Sequence, residues 1–168
     1  MEHMKFIINR QRKAAFTLPE VLIALLLLGL FLPSVFAING VCLRLVNASK
    51  ESTAALENVH DRCETLRNLA FTDLIDISFV QNLMGTPANA SDFSKNATEV
   101  VTISAYPVAH GVTQLTRSLN GSVTNNSIAT DLGSTLVQVT VSTSWSTTFG
   151  GRARSEETTT IISNGTKK

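Results

Sequence analysis

Residues 14–38 read AAFTLPEVLIALLLLGLFLPSVFAI, and the fate of this run decides the fold. Glu20 is the only charged side chain from Ala14 to Leu43, and none occurs from Val21 to Ile38. An uncharged apolar stretch of that length is about what a helix needs to cross a hydrocarbon core. The segment is therefore expected to enter a membrane. Lys5, Arg10, Arg12 and Lys13 precede it and no comparable cluster follows immediately. This asymmetry predicts a cytoplasmic N-terminus with the remainder outside.

Three fates fit such an insertion. A secretory signal would be cut after small residues, and Val35-Phe36-Ala37 offers a site before Ile38. A signal anchor would stay uncut. The third fate is cleavage on the cytoplasmic side, which keeps the helix. Glu20 helps to choose, because a carboxylate at mid-membrane costs about 2–3 kcal/mol and a disposable signal has no use for one. It needs a cation, and cleavage before Phe16 would create an α-amino group four residues away, in the same chain or a neighbour.

Lys13-Ala14-Ala15-Phe16-Thr17-Leu18-Pro19-Glu20-Val21 resembles the prepilin cleavage and methylation motif of type IV pilins and type II secretion pseudopilins. The resemblance implies that prepilin peptidase cuts between Ala15 and Phe16 and methylates the new Phe16 amine. It also implies that Glu20 guides docking with other pilins or pseudopilins in a helical filament, built at an inner-membrane assembly platform. Pro19 is compatible with a helix start, because first-turn N–H groups are unpaired in any case.

Beyond the membrane run the apolar positions become periodic. Val41, Leu45, Ala48, Ser52, Ala55/Leu56, Val59, Cys63, Leu66 and Ala70 follow at steps of three and four, one stripe of an amphipathic helix. Arg62 is assigned to the outer faces together with Arg44, Lys50, Glu51, Glu57, Asp61, Glu64 and Arg67. A nearly continuous helix over residues 16–70 would span roughly 80 Å, with a helix break at Gly29 and Pro33, where proline removes a hydrogen bond. The stretch Ala55 to Leu69 also resembles the helix end of minor pilins of the pilus-modification type, which favours a minor subunit.

Residues 71–97 mix Asp73, Asp76, Gly85, Pro87, Asn89 and Ser91 and read as a connecting loop with at most one short element. From Thr98 the composition turns β-branched. Val100 to Tyr106 and Leu136 to Trp145 are the clearest strands. Val112–Leu119 and Ser122–Ile128 flank Asn120-Gly121, a pair that favours a two-residue hairpin turn, and Gly150-Gly151 separates the Trp145 strand from Arg154–Ser163. The expectation is an α+β pilin fold: leader 1–15, helix 16–70 with its membrane part at about 21–38, loop 71–97, and an antiparallel sheet of four or five strands over 98–168.

Composition narrows the function. Only 16% of residues are charged, and removal of the leader leaves ten basic against twelve acidic side chains, net −2. Nucleic-acid binding needs clustered Lys and Arg, so no nucleic-acid partner is expected. Cys42 and Cys63, 21 positions apart on one helix, would be separated by roughly 30 Å and cannot pair with each other. Glu57 and His60 share a helix face, but a carboxylate-bridged centre needs a second such pair. Asp73, Asp76, Asp92 and Glu99 lack the spacing of a calcium loop. No nucleophile elbow or phosphate loop is present. Neither a cofactor, a metal nor a catalytic residue is expected, and the protein reads as a structural subunit rather than an enzyme. The alternative is a secreted or membrane-anchored β-rich binding module with an ordinary signal peptide or anchor, recognising its target through a Ser/Thr-covered sheet.

Overall fold

A computed structural model describes residues 17–148 and 150–165. The chain divides into two compact units, residues 1–43 and 44–168.

In the first unit, helix α1 (Leu18–Arg67) begins. The Val21 amide donates to the Thr17 carbonyl at 3.2 Å, so Pro19 falls in the first turn, where its missing N–H costs nothing. Every described residue from 17 to 39 is exposed, with Leu26 at 64% and Phe36 at 71%. A helix apolar on all sides cannot stand in water and requires lipid or other helices around it. Among the described residues this is the one helix long and apolar enough to cross a membrane.

The helix continues through Gly29 and Pro33. Proline at position 33 leaves the Gly29 carbonyl without its donor, while the Ser34 hydroxyl donates to the Leu30 carbonyl at 2.9 Å. That back-bonding tends to bend a helix without ending it.

The second unit is a five-stranded antiparallel sheet with the end of α1 laid across it. The strands β1 (Thr98–Ala105), β2 (Val112–Arg117), β3 (Val123–Ser127), β4 (Leu136–Ser146) and β5 (Ala153–Ser163) lie in the order β3-β2-β1-β4-β5. β1 and β4 alternate strictly between buried and half-buried residues, as period-two chemistry requires of a sheet with one covered face. Val101, Ile103, Val137, Val139 and Val141 form that face, and Val59, Cys63 and Leu66 of α1 cover it.

The α+β layout follows the sequence reading, with three differences. First, the helix stripe is buried only from Ala55 to Leu66, whereas Val41, Leu45 and Leu56 are more than half exposed. Second, residues 71–97 hold three short helices, α2 (Phe71–Ile75), α3 (Ile77–Met84) and α4 (Asp92–Lys95), which push Leu74, Val80 and Met84 into the core. Asp76 caps α3, accepting from the Ser78 and Phe79 amides at 2.9 and 3.4 Å. Third, the β2–β3 loop has three residues rather than two. The Ser118 amide donates to Ser122 O at 2.9 Å and the Gly121 amide to Ser118 O at 2.8 Å. Leu119 and Asn120 therefore form the turn, and Gly121, at φ +81°, closes it in the left-handed region.

Candidate functional site

The residues proposed from sequence for processing and assembly occupy one end of the chain. Ala15 and Phe16 lie outside the described residues. Glu20 is exposed in the first turn of α1, where the positive end of the helix dipole favours a carboxylate. With Ala24 and Leu28 it marks out one helix face, since residues four apart lie one above another. Among the described residues no cation lies within ion-pair distance of Glu20. An apolar face carrying a single acid has the character of a packing surface that demands one specific partner charge.

The second unit contains polar architecture that the sequence reading missed. Arg62, assigned to the outer faces, is buried at 1% exposure beside Glu99, also at 1%. Its Nε and Nη2 donate to the Glu99 carboxylate at 2.6 and 3.1 Å, a bidentate fork. Nη2 also donates to the Thr86 carbonyl at 2.7 Å and Nη1 to the Leu83 carbonyl at 3.4 Å. One side chain of α1 thus ties together β1 and the end of α3.

These groups belong to a row across the covered sheet face, where Arg117, Glu99 and Thr143 stand in register on β2, β1 and β4. Asn58, one turn before Arg62, donates from Nδ2 to Thr143 Oγ1 at 2.9 Å. Arg117 donates from Nη1 to the Ser94 carbonyl at 3.1 Å. Of the four acids weighed as loop ligands, Glu99 stands in this row, Asp76 caps α3 and Asp92 makes an exposed pair with Lys95 at 3.1 Å. Glu57 and His60 are both exposed on the helix.

Further along α1, Glu51 reaches the far end of β4. Its Oε1 accepts from the Thr148 amide at 3.0 Å and its Oε2 from Trp145 Nε1 at 3.3 Å. Hydrogen bonding from Thr148 is the main reason its carboxyl stays below the usual range, partly opposed by desolvation and helped by Trp145 and the Arg154 charge. Phe93 meets Trp145 edge to face, with centroids 5.4 Å apart, on the wall of an open cleft of about 500 Å³ that also includes Asp92, Asn96 and Ser144.

Both thiols are free, Cys42 exposed and Cys63 buried. Burial pushes the Cys63 thiol up to about 11, with the charges of Glu64 and Glu99 adding to the shift. It is a packing residue with little thiolate at neutral pH.

No curated protein and no solved structure matches the chain. Residues 10–32 match the family model described as the prokaryotic N-terminal methylation motif. That span takes in the last three basic residues of the leader, Ala15, Phe16, Glu20 and the first two-thirds of the uncharged stretch 21–38, and it implies processing by prepilin peptidase and assembly with other pilins. The long apolar helix that follows fits an inner-membrane anchor. Residues 10–32 thus carry the prepilin motif of type IV pilins and pseudopilins, and the long N-terminal helix on a five-stranded antiparallel sheet is a pilin-like layout.

Proposed function

We propose that the protein is a minor pilin or pseudopilin, a structural subunit of a type IV pilus or a type II secretion pseudopilus. The observation that carries this reading is the methylation motif at residues 10–32 leading into the first part of α1, residues 18–39, which is apolar on every side and bears one acid, Glu20. The chain inserts through residues 21–38 with its N-terminus in the cytoplasm. It is cut between Ala15 and Phe16, methylated on Phe16, and drawn from the membrane into a filament at an assembly platform. The 98–168 domain remains on the periplasmic or extracellular side. Gly29 and Pro33, where the helix has lost a hydrogen bond, form the segment that loosens on packing. The likeness of Ala55–Leu69 to minor pilins of the pilus-modification type favours the minor subunit.

In the filament Glu20 pairs with the Phe16 amine of a neighbour. Breaking a buried pair by removing one partner costs about 3–5 kcal/mol, which corresponds to a hundredfold or more in an equilibrium. Glu20→Ala should therefore leave the membrane-associated pool unchanged and lower incorporation into sheared filaments at least tenfold, read by immunoblot of the two fractions. Wild-type incorporation would remove the role assigned to Glu20.

The alternative of a secreted binding module draws on the uncovered sheet face, where Gln114, Thr102, Thr140 and Thr159 stand in one cross-strand row. Under that reading the mature chain begins at Ile38 and the N-terminal helix serves export alone.

A further inference from the structure

The buried charge layer between α1 and the sheet is costly. Replacing a buried ion pair or triad with apolar groups of similar volume is often neutral or stabilising. Here the layer also leaves Asn58 Oδ1 and Arg117 Nε buried without a partner among the described residues, and each such group carries a desolvation penalty. Glu99 pairs with Arg62, whereas Arg117, opposite Glu99 in the register, makes no ion pair among the described residues, so the layer is not neutralised from within. Stability does not explain these residues.

Uniqueness does. The apolar part of the interface sets Ala55, Val59, Cys63 and Leu66 against Val101, Val139 and Val141, groups of similar size in a regular array. A helix displaced by one turn, about 5.4 Å, would set comparable groups against one another. Polar contacts distinguish the two seatings: a displaced Arg62 would lose Glu99 and both carbonyls, as Asp61 would lose Asn89 and Glu51 would lose Trp145 and Thr148.

The same layer holds residues 85–97. Between Gly85 and Ala97 only Ser94 and Ala97 are buried, so this segment has little apolar anchorage. Three polar ties fix it instead: Arg62 to the Thr86 carbonyl, Asn89 Nδ2 to Asp61 Oδ2 at 2.8 Å, and Arg117 to the Ser94 carbonyl. Two of the three come from adjacent residues of α1. Asp92, Phe93 and Asn96 of this segment form one wall of the cleft, while Glu51 of α1 secures the Trp145 and Thr148 wall.

We propose that Arg62, Glu99 and Arg117 form a latch that selects a single seating of α1 on the sheet and couples it to the placement of residues 85–97. Its contribution is to specificity rather than to stability. Arg62 is a positioning residue, and the shape of the cleft follows from where α1 sits. The inference concerns only the 44–168 unit and is independent of how the chain is processed.

The test uses the full chain in detergent micelles, comparing wild type with Glu99→Leu, with the triple variant Arg62→Met/Glu99→Leu/Arg117→Met, and with Arg62→Lys. Denaturant midpoints and amide hydrogen exchange are measured for each. Glu99→Leu strands the buried Arg62 cation and should lower the midpoint. The triple variant should keep or raise the wild-type midpoint, while amides of residues 86–96 exchange at least tenfold faster. Arg62→Lys retains a charge for Glu99 but lacks the fork that also reaches Thr86, so it should keep the fold and speed exchange over the same residues. A triple variant that falls as far as Glu99→Leu, or does not fold, would make the layer a stability element and overturn the proposal. Unchanged exchange over 86–96 in both the triple variant and Arg62→Lys would overturn it equally.

Discussion

Glu20, Glu51 and Glu99 each meet a different demand on a carboxylate. Glu99 is enclosed and answered within the chain by Arg62. Glu51 is half-buried and held by a backbone amide and an indole. Glu20 has no cation within ion-pair reach among the described residues. For Glu51 the consequence is a pH dependence of known sign. Its carboxyl titrates below the ordinary value of 4.5 in the folded protein, so its contribution is fully present above that value and is lost as pH falls through the lowered one. Trp145 is the only tryptophan and touches Glu51 directly. Its fluorescence should be flat from pH 7 to 5 and change only at lower pH, and Glu51→Gln should remove that transition. An identical acid transition in the variant would contradict the assignment.

At the scale of elements, legibility followed length and repetition. The long helix and the strands could be read because three or more repeats of a period of 3.6 or 2 stand out against any composition. α2, α3 and α4, of five, eight and four residues, complete too few turns to show a period, and their caps, Asp76 and Ser91, look like ordinary loop residues. Arg62 was hidden for another reason. On a helix with several exposed charges, one more basic residue looks solvated, although Arg62 lies four positions before Leu66 and three after Val59 on the buried stripe. The signal that could have found it was in β1. Glu99 alternates with Val101 and Ile103, which puts a carboxylate on the covered face, and such a group needs a cation opposite.

The β2–β3 loop shows the same limit at a turn, since Asn-Gly serves more than one hairpin length. Gly121 sits at φ +81° with nothing within 4 Å of an added Cβ, so the cost of a side chain there is conformational only. Gly121→Ala should destabilise the second unit by about 1 kcal/mol, measured by chemical denaturation. No loss of stability would mean that the loop adopts another turn.

Over the whole molecule the two units answer to different surroundings. The second is a covered sheet whose core is enclosed within the chain, with apolar residues such as Leu45, Val108 and Ile128 left exposed singly on its surface. The first exposes Leu22, Leu26, Phe31 and Phe36 at more than half of their surface and is complete only inside a membrane or among other helices. The sequence carried that distinction, because an unbroken apolar run needs no tertiary information to be read. It carried less about the end of the stripe, where burial depends on which residues the sheet reaches.

The proposed function requires that the apolar helix be kept and that its N-terminus be made by cleavage in front of it. The most direct test is mass spectrometry of the mature N-terminus of the protein purified from membranes of a bacterium with prepilin peptidase. A chain beginning at Phe16, heavier by one methyl group on its α-amine, is the predicted result. A chain beginning at Ile38, or one retaining Met1, would contradict it.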